Sequence, residues 1–219
     1  MLAASFPKTR PALPPKYQAI YERYYLENRN GETRASALSQ RLAEAAHRWV
    51  AKDASPDKPT LEIGAGTLNQ LPFEPENPAY DAIEPMAFLY QGSPLRSRVR
   101  DIFDDIRDVP AERRYARIIS SGVLEHVCDL PDVVSTAARL LAPGGVFRAA
   151  IPSEGGMLWR LGWSLTTGLE FRLRHKLDYG VIMRHEHVNT AREIESVVRS
   201  VFPQVRISTF GVGRHLSLC

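Results

Sequence analysis

An acidic residue and two glycines lie at the end of the first strongly apolar segment of the chain. Glu62 stands two positions before Gly64, and Gly66 follows, in a run that begins at Leu61. Glycine lets a backbone turn approach a ligand that a Cβ atom would keep away. A helix that opens after such a turn presents free N–H groups, which favour polar or anionic ligand atoms. The pattern therefore indicates a backbone cradle for a small ligand.

A second acid, Glu84, follows about twenty residues later, at the end of the next apolar segment. An acid in this position accepts hydrogen bonds from ribose hydroxyls in nucleoside sites. A dinucleotide fingerprint needs a third glycine three positions after Gly66, and the chain has Asn69 there. The spacing predicts a nucleoside ligand, and it leaves an NAD-type oxidoreductase as the weaker alternative.

These residues belong to a series of blocks that resembles class I S-adenosylmethionine-dependent methyltransferases. The run from Glu62 to Gly66 resembles their first motif, although Leu68 stands where that motif often has a third glycine. Three later blocks resemble the family in the same order, at residues 100–102, 115–127 and 140–147. The resemblance covers roughly residues 58 to 152, and the segment 185–189 is a candidate extension.

The resemblance implies S-adenosylmethionine as the cofactor. Gly64 and Gly66 would lie beside its methionine portion, and Glu62 would order the loop and the methionine amine. Glu84 would accept from the ribose hydroxyls. The predicted cofactor site contains Glu62, Gly64, Ala65, Gly66, Glu84, Pro85, Asp101, Ile102, Ser120 and Ser121.

The remaining contacts in this predicted site follow from the third and fourth strands. Asp101 is expected at the end of the third strand, accepting from the adenine amine, with the Ile102 backbone beside the ring. Ser120 would face the reacting centre through its carbonyl. Asp101 could instead cap a helix, and Glu62 could instead cap the turn.

Three histidines are candidates for proton removal, which methyl transfer to oxygen or nitrogen requires. His126 follows the fourth strand, and an imidazole titrates near neutral pH, although Glu125 and His126 could instead hydrogen-bond the neighbouring loop. If the segment around His185 and His187 is a strand, both histidines share a face and could converge on an acceptor or a metal. Alternatively, one lines the acceptor pocket and the other caps a helix beginning near Thr190.

We predict no metal. Some quinone-pathway O-methyltransferases that this chain resembles bind a metal through a Glu-x-x-Glu-His group. The first of those positions is Gly122 here, which leaves only Glu125 and His126.

Alternating strands and helices are needed to position these residues. Nearly unbroken apolar segments predict parallel strands at 60–63, 79–83, 98–100, 116–120 and 146–150, followed by an antiparallel pair at 205–210 and 215–218. Helices are predicted at 132–141 and 191–201. The expected fold is α/β, a doubly wound Rossmann-like and mostly parallel seven-stranded sheet.

Two extensions are predicted around the methyltransferase domain of residues 58–219. Residues 1–57 read as an N-terminal arm and helices at 16–28 and 32–52. The tyrosines of the first helix would pack on the domain or on a lid, or cover the active site. Residues 153–184, after strand five, are too long for a plain connection and are interpreted as a helical lid. Its tryptophans and arginines suit either a buried cap or an acceptor lid that touches a membrane surface.

Composition excludes several other classes. The formal charge of +3 is too mild to indicate nucleic acid, and the fourth strand lacks the Asn/Asp-Pro-Pro-aromatic signature of amine-directed nucleic-acid methyltransferases. The chain shows neither a signal peptide nor an apolar run of bilayer length, so we expect a cytoplasmic enzyme. The expected reaction is methyl transfer, more at oxygen than at carbon, to a small-molecule or lipid- or sugar-linked acceptor. A catalytically silent binding module is the remaining alternative, and oligomeric state is not predicted.

Overall fold

The computed structural model describes residues 6–21, 36–152, 164 and 167–208, apart from the side chains of 36–42 and 167. Within these residues five parallel strands form one sheet in the order β3-β2-β1-β4-β5. The strands are β1 (Thr60–Ile63), β2 (Tyr80–Ile83), β3 (Ile102–Phe103), β4 (Tyr115–Ser121) and β5 (Leu141–Ala150). The α/β Rossmann-like, mostly parallel architecture is therefore confirmed.

Helices cover both faces of this sheet and extend beyond it. They are α1 (15–21), α2 (Ser36–Val50), α3 (Leu130–Leu140), α4 (Thr167–His175), α5 (Tyr179–Glu186) and α6 (Ala191–Val201). Helix α6 has the predicted bounds because a capping box begins it: Glu193 N donates to Thr190 Oγ1, and Thr190 N donates to the Glu193 carboxylate. Thr190 therefore caps this helix itself, and the prediction of a histidine cap is wrong.

Side-chain alternation along β1 divides the core into two layers. Leu61 and Ile63 pack on the face that α3 covers, together with Ile118 and Leu140. The opposite face packs against α2 through a second cluster that includes Val50. Every residue of β1 is buried, as expected for the central strand of a parallel sheet covered on both sides.

The N-terminal arm and α1 pack against α4 and α5. Leu13 and Tyr17 form a buried cluster with Phe171 and Ile182. The Tyr17 hydroxyl also accepts a hydrogen bond from Asp178 N at 3.0 Å. Helix α1 therefore packs on the region predicted as a lid.

Two predicted strand regions differ from the structure. Residues 98–100 are not a strand, because Arg96–Arg98 forms a single 3-10 turn, closed by the Val99 N bond to Arg96 O. Residues 205–208 have no strand pairing, and 209–219 lie outside the described residues. The seven-strand count therefore stays a prediction, as does the lid, since residues 153–163 also lie outside. In the described part of the chain, no helix combines the length and apolar character needed to cross a membrane.

Candidate functional site

The carboxyl ends of three neighbouring strands bring the glycine turn, Glu84 and Ser120 together. In the sheet register Ile63 pairs with Ile83 on one side and with Ser120 on the other. Gly64 N and Ala65 N both donate to Ile83 O, at 2.8 and 3.1 Å. This edge of the sheet holds most of the predicted cofactor site.

Glu84 fixes the glycine turn. Its Oε2 accepts from Gly66 N at 2.7 Å, and its Oε1 accepts from Met86 N at 3.0 Å. The residue is only 4% exposed. A carboxylate offers about four lone-pair sites, so about two remain for a ligand. Pro85 lies exposed in the turn directly after this acid.

The turn itself requires left-handed backbone at several positions. Gly64 has φ +74°, and a Cβ there would lie 2.4 Å from Val123 Cγ2. Gly66 has φ +51°. Leu68 also has a positive φ of 67°, and its side chain is fully buried in the core. The first motif of the methyltransferases that the chain resembles often has glycine at this position. A bulky residue in this region is strained, and burial of the side chain offsets the strain.

Glu62 lies in the core beneath this turn. Its Oε2 accepts from the Tyr80 hydroxyl at 2.8 Å. Burial, against the opposing hydrogen bond from Tyr80 and with a smaller contribution from the nearby acids Glu74 and Glu84, raises the pKa of Glu62 to about 7. Glu62 thus packs the underside of the loop, and its contact with a ligand amine stays a prediction.

Ser120 and Ser121 end β4 beside β1. Ser120 is 1% exposed, and within the described residues its Oγ makes no hydrogen bond. Ser121 is half-buried, and Gly122, with φ +65°, follows. A buried hydroxyl without a partner is costly, so this atom is a candidate ligand contact.

The structure does not place Asp101 beside Glu84. Ala82 N donates to Asp101 O at the start of β3, whereas Glu84 N donates to Phe103 O at the end of that strand. Asp101 and Ile102 therefore lie at the amino end of β3, and the expectation that Asp101 follows the strand is wrong. The exposed acid that directly follows β3 is Asp104.

Asp101 instead joins a partly exposed charge network around the buried Asp81, at the amino end of the sheet. Arg113 bridges Asp101 and Asp81, at 2.6 and 2.7 Å. Burial acts to raise the pKa of Asp81, but hydrogen bonds from Arg100 and Tyr115 outweigh it and hold that pKa below its usual value. This network links the amino ends of β2, β3 and β4 across the sheet.

His126 lies on the 3-10 turn Leu124–His126, which follows β4. Its Nδ1 is 2.8 Å from the backbone oxygen of Glu186 and 3.3 Å from Oε2 of the same residue. Both oxygens only accept, so Nδ1 carries the proton and the neutral ring has its lone pair on Nε2. The His187 ring packs edge-on against this imidazole, with 4.7 Å between centroids.

His185 and His187 are not on a strand, because Tyr179–Glu186 forms helix α5. His185 lies in its last turn, and its Nδ1 is 2.6 Å from Pro11 O. His187 follows the helix and contacts His126. The two side chains therefore have different neighbours, and the prediction that they converge as alternate strand residues is wrong.

Arg10 ties these segments to the N-terminal arm. One terminal nitrogen donates to His185 O at 2.8 Å and to Glu186 O at 3.2 Å, and the other donates to His126 O at 2.8 Å. Asn189 adds a second link, since its Nδ2 donates to two carbonyls of the β4 loop. The sequence analysis did not find Arg10 or Glu186, because their partners are more than 50 residues away. The signal for Asn189 was its place in the candidate block at 185–189.

Metal ligation has no geometric support in the described residues: no three His, Cys, Asp or Glu side chains converge there on a point that could hold an ion. The prediction of a metal-free site rests on Gly122 and stays a prediction.

Comparison with known proteins identifies the family. A family model described as a methyltransferase domain matches residues 25–200. No curated protein matches the chain. The three solved structures compared below are at most 20% identical to the chain, so they support the fold alone.

Three of these structures cover most of the chain. An S-adenosylmethionine-dependent methyltransferase from Thermotoga maritima, described as a possible histamine N-methyltransferase, is 17% identical (TM-score 0.54; 85% of this chain, 79% of that chain). A possible exported protein from Bordetella parapertussis is 14% identical (TM-score 0.57; 99% and 75%). The CurJ carbon methyltransferase is 20% identical (TM-score 0.53; 81% of this chain but about half, 53%, of that one).

The domain match spans most of the chain, and the sheet order and glycine turn agree with it. The chain therefore belongs to the methyltransferase domain family, as a class I S-adenosylmethionine-dependent methyltransferase.

Proposed function

We propose that this enzyme transfers a methyl group to a hydroxyl oxygen of a small-molecule or lipid- or sugar-linked acceptor, with His126 as the general base. The observation that carries this proposal is the fixed imidazole after β4. Glu186 holds its Nδ1, which directs the basic lone pair to Nε2.

The residues at the carboxyl edge fit the cofactor. Glu84 retains acceptor capacity for ribose hydroxyls, and Gly64 and Gly66 place backbone without side chains in the turn. The buried Ser120 hydroxyl, which has no bond within the described residues, offers a further polar contact. Asp104 replaces Asp101 as the acid for the adenine amine, because it follows β3 at this edge. When bound, S-adenosylmethionine supplies an electrophilic methyl group.

An oxygen acceptor suits the histidine. A hydroxyl must lose its proton as the methyl group arrives, and an imidazole that titrates near neutral pH can take it. A carbon acceptor would have to be acidified first. The loop that carries His126 also contacts the cofactor turn, since Val123 packs against Gly64.

The acceptor would enter along a shallow groove of about 450 Å³. His187 lines this groove, and its ring contacts His126. The N-terminal arm forms one wall through Lys8, Thr9 and Pro11, and the segment with Arg184 and His187 forms the other. The arm is thus proposed as part of the acceptor site. The hydrogen bonds of Lys8 to Val188 O and Glu193 hold this wall in place.

Replacement of His126 tests the proposal. His126→Ala should lower turnover by roughly two to four orders of magnitude, the usual contribution of a general base, and leave S-adenosylhomocysteine affinity unchanged. Methyl transfer is measured with a labelled donor against a panel of sugars, phenols and amines, and the product atom is identified by carbon-13 NMR. His126→Gln is the control, since it keeps a polar side chain of similar size but removes the base. Near-normal turnover in His126→Gln would return the residue to a packing role, and methyl on nitrogen or carbon would refute the oxygen acceptor.

A further inference from the structure

Helix α4 has two opposite faces of different character. Phe171 is 1% exposed and packs in the cluster that Leu13 and Tyr17 form with α5. On the other side Leu169 and Leu173 are 48% and 75% exposed. Positions four residues apart share one helical face, so these two leucines form a single exposed apolar strip.

Basic side chains border this strip. Arg172, three residues after Leu169, is exposed, and so is Lys176, which directly follows the helix with a positive φ of 55°. Arg174 is exposed as well, and Glu170 is the only acid in Thr167–His175. The helix therefore presents apolar groups and positive charge together.

A groove of about 610 Å³ runs along the same side of the helix. Leu169 and Leu177 contribute apolar walls, Arg172 and Lys176 contribute two positive charges, and Asp178, the cap of α5, contributes one acid. Exposed leucines are costly in water, and adjacent cations would repel a second copy of the same strip. The surface is thus complementary to a partner that is apolar inside and negatively charged outside.

We infer that the exposed face of α4 at Leu169, Arg172 and Leu173, together with Lys176 directly after the helix, docks on the surface of a bilayer that contains anionic lipid. The two leucines enter the acyl boundary, while Arg172 and Lys176 pair with lipid phosphates. The patch is small, so the contact is peripheral and reversible. This binding goes beyond the methyl-transfer reaction, and it would bring the acceptor groove close to lipid-linked molecules.

Vesicle cosedimentation of the full chain tests the inference, without a methyl donor. We expect the wild-type protein to sediment with phosphatidylcholine vesicles that contain phosphatidylglycerol, and much less with phosphatidylcholine alone. Lys176→Glu should weaken this partitioning roughly fivefold or more, since each basic residue near an anionic surface contributes about that factor. Leu173→Ser should weaken it as well, because apolar insertion contributes independently of charge.

Matched variants elsewhere make the outcome specific. Lys52→Glu reverses the charge of another exposed lysine, and Ile207→Ser removes another exposed apolar side chain. Both should bind vesicles like the wild type, with unchanged thermal unfolding midpoints for all four variants. Equal sedimentation with neutral and anionic vesicles would overturn the inference, as would a loss in Lys52→Glu as large as in Lys176→Glu. A wild-type dimer that Leu173→Ser converts to a monomer, without vesicle binding, would assign the strip to self-association.

Discussion

Glu84 is the most informative single residue, because its carboxylate accepts hydrogen bonds from the backbone of the glycine turn and is also the proposed ribose contact. Its two oxygens accept from Gly66 N and Met86 N, and about two lone-pair sites remain for the proposed ribose contact. Glu84→Ala should weaken S-adenosylhomocysteine binding by about 1–3 kcal/mol, the cost of leaving hydroxyls and backbone donors without an acceptor.

Asp101 provides the matched control for that measurement. Its carboxylate pairs with Arg113 at the opposite end of β3, so Asp101→Ala should leave ligand affinity unchanged in calorimetry. A larger loss in Asp101→Ala than in Glu84→Ala would mean that the ligand lies at the amino edge of the sheet.

Glu62 predicts a pH dependence of stability. Its pKa is about 7 in the folded chain and near 4.5 when exposed, so the folded state binds more protons between these values. Its contribution to stability is therefore complete below about pH 4.5 and is lost as the pH rises to about 7. Urea unfolding should show the wild type losing up to about 1.4 kcal/mol per pH unit in this window relative to Glu62→Gln. Parallel curves for the two proteins would contradict the assignment.

Sequence reasoning succeeds for residues whose role depends on local pattern. Gly64, Gly66 and Glu84 lie together, because Gly64 and Glu84 each directly follow a strand of a parallel sheet and Gly66 lies in the turn that Gly64 begins. The predicted position of Asp101 after the third strand is wrong, since β3 has only two residues and the apolar pattern does not show where so short a strand begins. Sequence reasoning also cannot find Arg10, whose partners are set by the tertiary fold.

At the scale of elements, the N-terminal arm links the loop after β4 to the end of α5 through hydrogen bonds. Arg10 donates to carbonyls of the β4 loop and of the end of α5, and Lys8 pairs with Glu193 of α6. Arg10→Ala should lower the free energy of unfolding by about 1–3 kcal/mol, because three carbonyls lose a charged donor. Denaturant unfolding measures this loss, and Lys16→Ala, at an exposed position of α1, is the control. Equal stability of the two variants would show that the arm contributes no more than the exposed surface does.

The elements were predicted with different success for identifiable reasons. Strands β1, β2 and β4 lie within one residue of expectation, since continuous apolar runs bounded by polar turns are strong signals. Strand β5 begins five residues early, where Leu141 pairs with Tyr115 across an irregular register. The shared face of His185 and His187 was expected only if their segment is a strand, and His185 lies instead at the end of helix α5, because three consecutive polar residues do not distinguish the two periods.

At the scale of the whole molecule, the described residues form a cofactor-binding sheet and a helical cap. The cap consists of the arm, α1, α4 and α5, whose common core is the cluster around Tyr17 and Phe171. In the cap, the arm residues and His187 line the groove, and His187 contacts His126. The exposed leucines of α4 lie on the surface of the cap. We propose that the cap selects the acceptor, whereas the sheet edge holds the methyl donor. The sequence predicts helices in this region from its length and composition, but it does not predict how they pack.

The most direct test of the central claim is thermal denaturation with S-adenosylmethionine, S-adenosylhomocysteine, NAD or no ligand, measured side by side. A ligand at a hundred times its dissociation constant stabilises the folded state by about 2.7 kcal/mol, which gives a readily visible shift. We predict a rise in the unfolding temperature with the two sulfur nucleosides alone, and a smaller rise for Glu84→Ala at the same concentrations. A shift with NAD alone would contradict the account.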